Sequence, residues 1–192
     1  MFKAKRRTVV TVAAVIAVLL AGALTVTLLT SGKDNASASQ GIVEYQAGHR
    51  PLAPSVTGTS LTGTAIKLSS YRGKTVVLNF WGSWCSPCRD EAPTLAVLDE
   101  QYGAKGVAFL GDDVADTPVN ALAFTHSVGI TYPSISDNGY LVVADFSAAG
   151  VQVSDTPTTV VIDKTGHVAG MVIGGVSYGQ LTTLIKDAAV TS

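Results

Sequence analysis

Cysteine and histidine are scarce in this chain of 192 residues, which has two of the first and three of the second. A disulfide framework in a secreted domain uses several well-separated cysteines, so a framework is excluded. A structural zinc site takes about four ligands. Cys85 and Cys88 supply two, and His49, His126 and His167 have no partner at ligand spacing, so no metal is expected. Charge is sparse too, at 14% of residues. From Ser39 onward eight Lys and Arg face thirteen Asp and Glu. With no basic patch, a nucleic-acid partner is not expected. The sequence has no internal repeat, and no cysteine near residue 30 that would accept a lipid.

The basic residues Lys3, Lys5, Arg6 and Arg7 cluster ahead of a run from Thr8 to Thr30 without a single charge. About 20 apolar residues span a bilayer as a helix. A basic flank on the N-terminal side keeps residues 1–7 in the cytoplasm and sends the remainder across. Two outcomes are open. Residues 8–30 are an uncleaved signal anchor that leaves the chain in the cell membrane with its domain outside the cytoplasm. Alternatively they are a signal peptide, cleaved near Ala38 after the small-residue stretch 36–38, and the domain is secreted. Residues 31–50 are small and polar, which predicts a flexible tether, with the folded domain over 51–192.

Within that domain the pattern alternates. Residues 75–80 form a continuous apolar, β-branched run that suits a strand buried on both faces. A helix is predicted over 86–102, with Ser86 and Pro87 in its first turn, Asp90 and Glu91 near its positive end, and a kink at Pro93. A second buried strand (106–112), a helix (116–129), a short strand (132–136) and a short helix (139–148) follow. A hairpin (157–175) turning at Asp163–Gly166 and an amphipathic helix (177–190) close the chain. This order describes an α/β fold with a central mixed sheet flanked by helices.

Cys85 sits between the first strand and the first helix, and Cys88 in the first turn of that helix, in Trp81-Gly-Ser-Trp-Cys-Ser-Pro-Cys88. A sulfur at a helix N-terminus meets free N–H groups and the positive end of the dipole, which favour a thiolate. Such settings lower a cysteine pKa from about 8.5 to about 3.5–7.5. Cys88 lies almost one turn further on, within reach of Cys85. A permanent staple across so small a loop gains little, because the entropic benefit grows with loop length. A dithiol–disulfide couple fits best, with Cys85 as the exposed nucleophile and Cys88 as the resolving thiol.

The stretch from Val76 to Leu95, with Leu61–Trp81 before it and Asp155–Val168 after it, resembles the TlpA/ResA-type thiol–disulfide oxidoreductases of the thioredoxin superfamily. Residues 116–138 resemble the helix–strand insertion of that branch. The resemblance implies a thioredoxin-like fold. It makes Cys85 the attacking thiol and Cys88 the one that resolves the mixed disulfide. Pro157 corresponds to the family's cis-proline facing the cysteines, and the backbone of Thr156 to the β-type contact for a substrate chain. Glu91 falls where the reductases carry an acid that tunes the pair. Trp84 is expected to cover the sulfur, and Trp81 to lie in the core. Thioredoxin carries a buried aspartate six residues before its first cysteine; here that position is Asn79, which does not titrate.

The activity so implied is reduction of disulfides on extracytoplasmic proteins, such as the haem-binding cysteines of apocytochrome c. A CcdA/DsbD-type membrane relay is the implied electron donor, and no cofactor is implied beyond the Cys85–Cys88 disulfide. A disulfide-forming oxidase is the alternative, since direction follows the reduction potential. A peroxiredoxin has a threonine three residues before its cysteine, where this chain has Gly82. A Sco-type copper chaperone separates its cysteines by three residues and adds a distant histidine; the separation here is two.

Overall fold

A computed structural model describes residues 41–190. The strands are β1 (Ile42–Glu44), β2 (Thr57–Thr59), β3 (Ala65–Lys67), β4 (Thr75–Trp81), β5 (Val107–Val114), β6 (Ser134–Asp137), β7 (Thr158–Ile162) and β8 (Val168–Ile173). The α-helices are α1 (Ser86–Gly103), α2 (Pro118–Val128), α3 (Leu141–Ala148) and α4 (Tyr178–Ala189). Six strands form one sheet in the order β1-β8-β7-β4-β5-β6, and β2 and β3 pair separately. β4 runs parallel to β5 and β5 to β6, whereas β4–β7, β7–β8 and β8–β1 are antiparallel. The expected mixed sheet flanked by helices is the architecture observed.

β4 shows why the sheet is covered on both sides. All seven of its residues are buried, and successive side chains point to opposite faces. Val77 and Trp81 join a core with Leu95 and Leu98 of α1, Phe124 of α2 and Leu181 and Leu184 of α4. Val76, Leu78 and Phe80 join the other, with Ile66 of β3 and Val142 and Phe146 of α3. Sequence alternation would have betrayed a one-sided strand; the continuous apolar run is what two-sided burial requires. Gly111, in the middle of β5, has a steric reason. A Cβ there would collide with Ser134 Oγ and the indole nitrogen of Trp81.

The domain begins earlier than the composition predicts. Residues 42–50 were expected in the tether, yet Ile42–Glu44 pair with β8 and Arg50 bridges Asp163 and Asp187, at 3.1 Å each. A three-residue edge strand is too short to show a period of two, so nothing in the local pattern marks it. The β2–β3 hairpin escaped for the same reason. The predicted membrane segment 8–30, the cleavage site near Ala38 and residues 31–40 of the tether lie outside the described residues. Among the described residues no helix is long and apolar enough to cross a membrane.

β5 carries an aspartate where an apolar residue would ordinarily sit. Asp112 is fully buried, in register between Phe80 of β4 and Ile135 of β6, and neither carboxyl oxygen has a partner among the described residues. Burial first, then the neighbouring Asp137 and Asp113, push its pKa up to about 9 from 3.8. Between those values the folded chain holds a proton that the unfolded chain has lost, so stability falls as pH rises through that window. Asp112→Asn is therefore expected to change stability more favourably at about pH 8 than at about pH 5, by roughly 4 kcal/mol. Urea melts at the two pH values check this; a stability change that is the same at both would show that Asp112 does not titrate in the fold.

Candidate active site

The site is built where β4 ends. Trp81 is buried and stacks on Phe124 at 4.9 Å and 20°, as its expected core role requires. The chain then turns, with Cys85 N–H donating to Gly82 O. Two contacts tie this turn to the end of β5. Ser83 N–H donates to Asp116 Oδ2 at 2.7 Å, and the indole N–H of Trp84 donates to Val114 O at 3.1 Å. Asp116 carries little local signal in the sequence. Its one signal there is its position before the Thr117 cap of α2, whose N–H it also accepts.

Cys85 caps α1, and its Sγ accepts the Cys88 N–H at 3.2 Å. The helix therefore offers its free N–H groups to this sulfur, the arrangement expected of a stabilised thiolate. The two cysteines are joined in a disulfide with Cα atoms 5.3 Å apart. In this oxidised state Cys85 is not the exposed residue the sequence predicts. It is 4% exposed and Cys88 2%, and Cys85 Sγ lies 3.6 Å from Thr156 O.

The Thr156–Pro157 peptide bond is cis, and it places the Thr156 carbonyl opposite Cys85. The Thr156 N–H, however, donates to Asp155 Oδ1 at 2.8 Å, so a substrate chain pairing there would have to displace that side chain. Trp84 is 56% exposed, and its indole folds over Gly82 towards Val114. The ring therefore extends to the β5 side of Cys85 and is anchored there.

Glu91 was expected to sit near the start of α1, favoured by the dipole. The first turn of α1 in fact contains no acid, and Glu91 lies one turn later, facing inward and 4% exposed. Its Oε1 accepts from Asn79 Nδ2 at 2.8 Å and its Oε2 from Val176 N–H at 2.7 Å. Asn79 also donates to Thr159 Oγ1 at 3.0 Å. Burial raises the Glu91 pKa to about 7, against the lowering effect of the Val176 and Asn79 hydrogen bonds. Residues three apart on a helix share a face, with Cβ atoms about 5–6 Å apart, so Glu91 stands beside Cys88. Asn79, which does not titrate, thus holds a carboxyl that does, poised near neutral pH. The Thr159 and Val176 contacts could not be read from the sequence, because they join segments 80 and 85 residues away.

Asp113 is buried near the end of β5, in register with Trp81. Burial, and then the charge of Asp116, push its pKa up to about 7. Among the described residues no group of three His, Cys, Asp or Glu is placed to hold a metal ion.

A sulfur pair at a helix N-terminus, faced by a cis-proline and backed by a buried acid on a mixed sheet, defines a thiol–disulfide oxidoreductase of thioredoxin-like architecture. Comparison with known proteins agrees. Residues 50–171 match the model of the AhpC/TSA family. The thiol–disulfide oxidoreductase ResA of Bacillus thuringiensis is 34% identical over 134 residues, 70% of this chain and 75% of that one. That of Geobacillus thermodenitrificans is 38% identical over 122 residues, 64% and 67% of the two chains. Among solved structures, a DsbF homologue from Corynebacterium diphtheriae is similar, with 33% identity, a TM-score of 0.71, and 79% of this chain and 96% of that one covered. So is a secreted thiol–disulfide isomerase from Corynebacterium glutamicum, with 31% identity, a TM-score of 0.72, and 80% and 95% covered. The chain belongs to the AhpC/TSA family and, within it, to the ResA/TlpA-type redoxins.

Proposed function

We propose that this oxidoreductase acts outside the cytoplasm as a reductase of protein disulfides, held at the membrane by residues 8–30. The observation that carries the direction is the carboxyl of Glu91 buried beside Cys88. A couple is strongly oxidising when its reduced form is stabilised as a thiolate. An ionised carboxylate about 6 Å from a thiolate opposes it by roughly 3 kcal/mol at an effective dielectric of about 20. The helix N-terminus favours it by about 0.3–1 kcal/mol. The helix N-terminus acts on Cys85 and the carboxylate on Cys88, so a thiolate is favoured on the first sulfur and opposed on the second. Opposing charge on the second favours closure of the disulfide and makes the dithiol a good electron donor.

The cycle then runs as follows. Reduced Cys85 attacks one sulfur of a substrate disulfide. The Cys85–substrate bond forms, the substrate bond breaks, and one substrate thiolate leaves. Cys88 passes its proton to Glu91 and attacks Cys85 Sγ. The Cys85–Cys88 bond forms as the second substrate thiolate departs and is protonated. Two electrons have moved to the substrate. Haem-binding cysteines of an apocytochrome c fit as substrate, and a dithiol relay in the membrane of the CcdA/DsbD type fits as the donor that restores the pair.

The state of the pair in living cells tests this reading. Alkylating free thiols in intact cells and resolving the products by mass is expected to find Cys85 and Cys88 mainly reduced, and to find them oxidised when the membrane donor is removed. A pair that is oxidised at steady state and unaffected by that removal would contradict the reading and favour an oxidase.

A further inference from the structure

The order of strands arranges one edge of the sheet as a row. Reading from β7 through β4 and β5 to β6, that edge presents Thr156 and Pro157, then Cys85 with Trp84, then Ala115, then Tyr140 and Leu141. Hydrogen bonds join the later members. Trp84 reaches Val114 O, Ala115 N–H donates to Asp137 O at 3.2 Å, and Tyr140 N–H donates to the same carbonyl at 3.4 Å. Leu141 N–H donates to Asp137 Oδ1 at 2.7 Å.

Two features set this row apart. Beyond Cys85 it exposes three large apolar side chains, Trp84, Tyr140 at 50% and Leu141 at 71%, with the small, half-buried Ala115 between them. Contiguous exposed apolar surface marks interaction sites. Second, the non-glycine residues with positive φ among the described residues are Ala115 (50°) and Tyr140 (56°), and both lie here. Such backbone is uncommon outside glycine and gathers at binding sites.

We propose that this row docks an extended segment of the substrate protein, seating a large apolar side chain four residues from its disulfide cysteine on Tyr140 and Leu141. The surface is continuous with the thiol site, where disulfide exchange already brings a substrate chain against Cys85. Two strand spacings separate β4 from β6, about 10 Å, and Tyr140 and Leu141 lie just past β6. Four extended residues cover about 13 Å, and side chains four apart point to the same face. A small disulfide touches Cys85 alone and gains nothing from the row. The proposal rests on the oxidoreductase reading of Cys85.

The test uses the reduced domain and nine-residue peptides whose central cysteine is joined by a disulfide to 4-thiopyridine. Cys85 attacks the peptide sulfur, 4-thiopyridone leaves, and its absorbance gives the rate; Cys88 then frees the peptide thiol. A peptide with leucine at both ends is expected to react about tenfold faster than one with serine there. The double variant Tyr140→Gly, Leu141→Asp is expected to abolish that difference and to leave the rate with 4,4′-dithiodipyridine unchanged. Equal peptide rates in the wild type overturn the docking surface, and so does a leucine preference that survives in the variant. Failure of the wild type to reduce 4,4′-dithiodipyridine overturns instead the thiol chemistry beneath it.

Discussion

Replacing Cys85 with serine is expected to lower insulin reduction by at least about 1000-fold, to the uncatalysed rate, because the thiolate is the nucleophile of exchange and a hydroxyl has no comparable anion near neutral pH. The helix N-terminus that favours the thiolate is unaltered in this variant, since Ser is itself a good cap. The fold is therefore expected to persist, with unchanged far-ultraviolet dichroism. Cys88→Ala should behave differently. It retains the attacking sulfur but lacks the group that releases the substrate, so it should accumulate a mixed disulfide through Cys85. Wild-type rates in Cys85→Ser, or a mixed disulfide trapped through Cys88 in that variant and none in Cys88→Ala, would reverse the assigned roles.

The second large effect concerns the group behind the pair. Asn79→Asp is expected to destabilise the domain by about 2–4 kcal/mol at about pH 8, and by much less at about pH 5. The aspartate would lie where Asn79 now donates to Glu91 at 2.8 Å, and two carboxylates so close do not both ionise in a buried site. The folded variant would retain a proton that the unfolded chain, with both carboxyls near their ordinary values, releases. Stability then falls as pH rises above those values. Adding Glu91→Gln restores a donor–acceptor pair and should recover most of the loss. Urea melts of the two single variants and the double variant give the coupling directly. Additive losses would mean that Asn79 and Glu91 do not interact as described.

Much of this was legible in the chain, and what was not has a common cause. The strands at 75–80 and 106–112 and the helices at 86–102 and 177–190 were readable because burial on one or two faces writes a period or an unbroken apolar run. The cysteine pair was readable because its spacing matches one helical turn. Glu91 was legible as a residue but not as an environment. Its position on α1 follows from the sequence, whereas its burial depends on Asn79 from β4 and Val176 from the loop before α4. Asp116 and Asp113 went unnoticed for the same reason: nothing local distinguishes an acid that pins the cysteine turn from one that faces solvent. β1 was missed because three residues at a sheet edge carry too little pattern, and its pairing with β8 bridges more than a hundred residues.

On the function proposed above, the surroundings of Cys85 and Cys88 make them a reducing couple. Equilibrating the purified domain with buffers of known potential and counting free thiols measures this directly. The expected value is close to that of thioredoxin, about −270 mV, and becomes less negative when Glu91 is replaced by glutamine. A potential near about −120 mV, the range of a disulfide-forming oxidant, or one indifferent to Glu91, would contradict it.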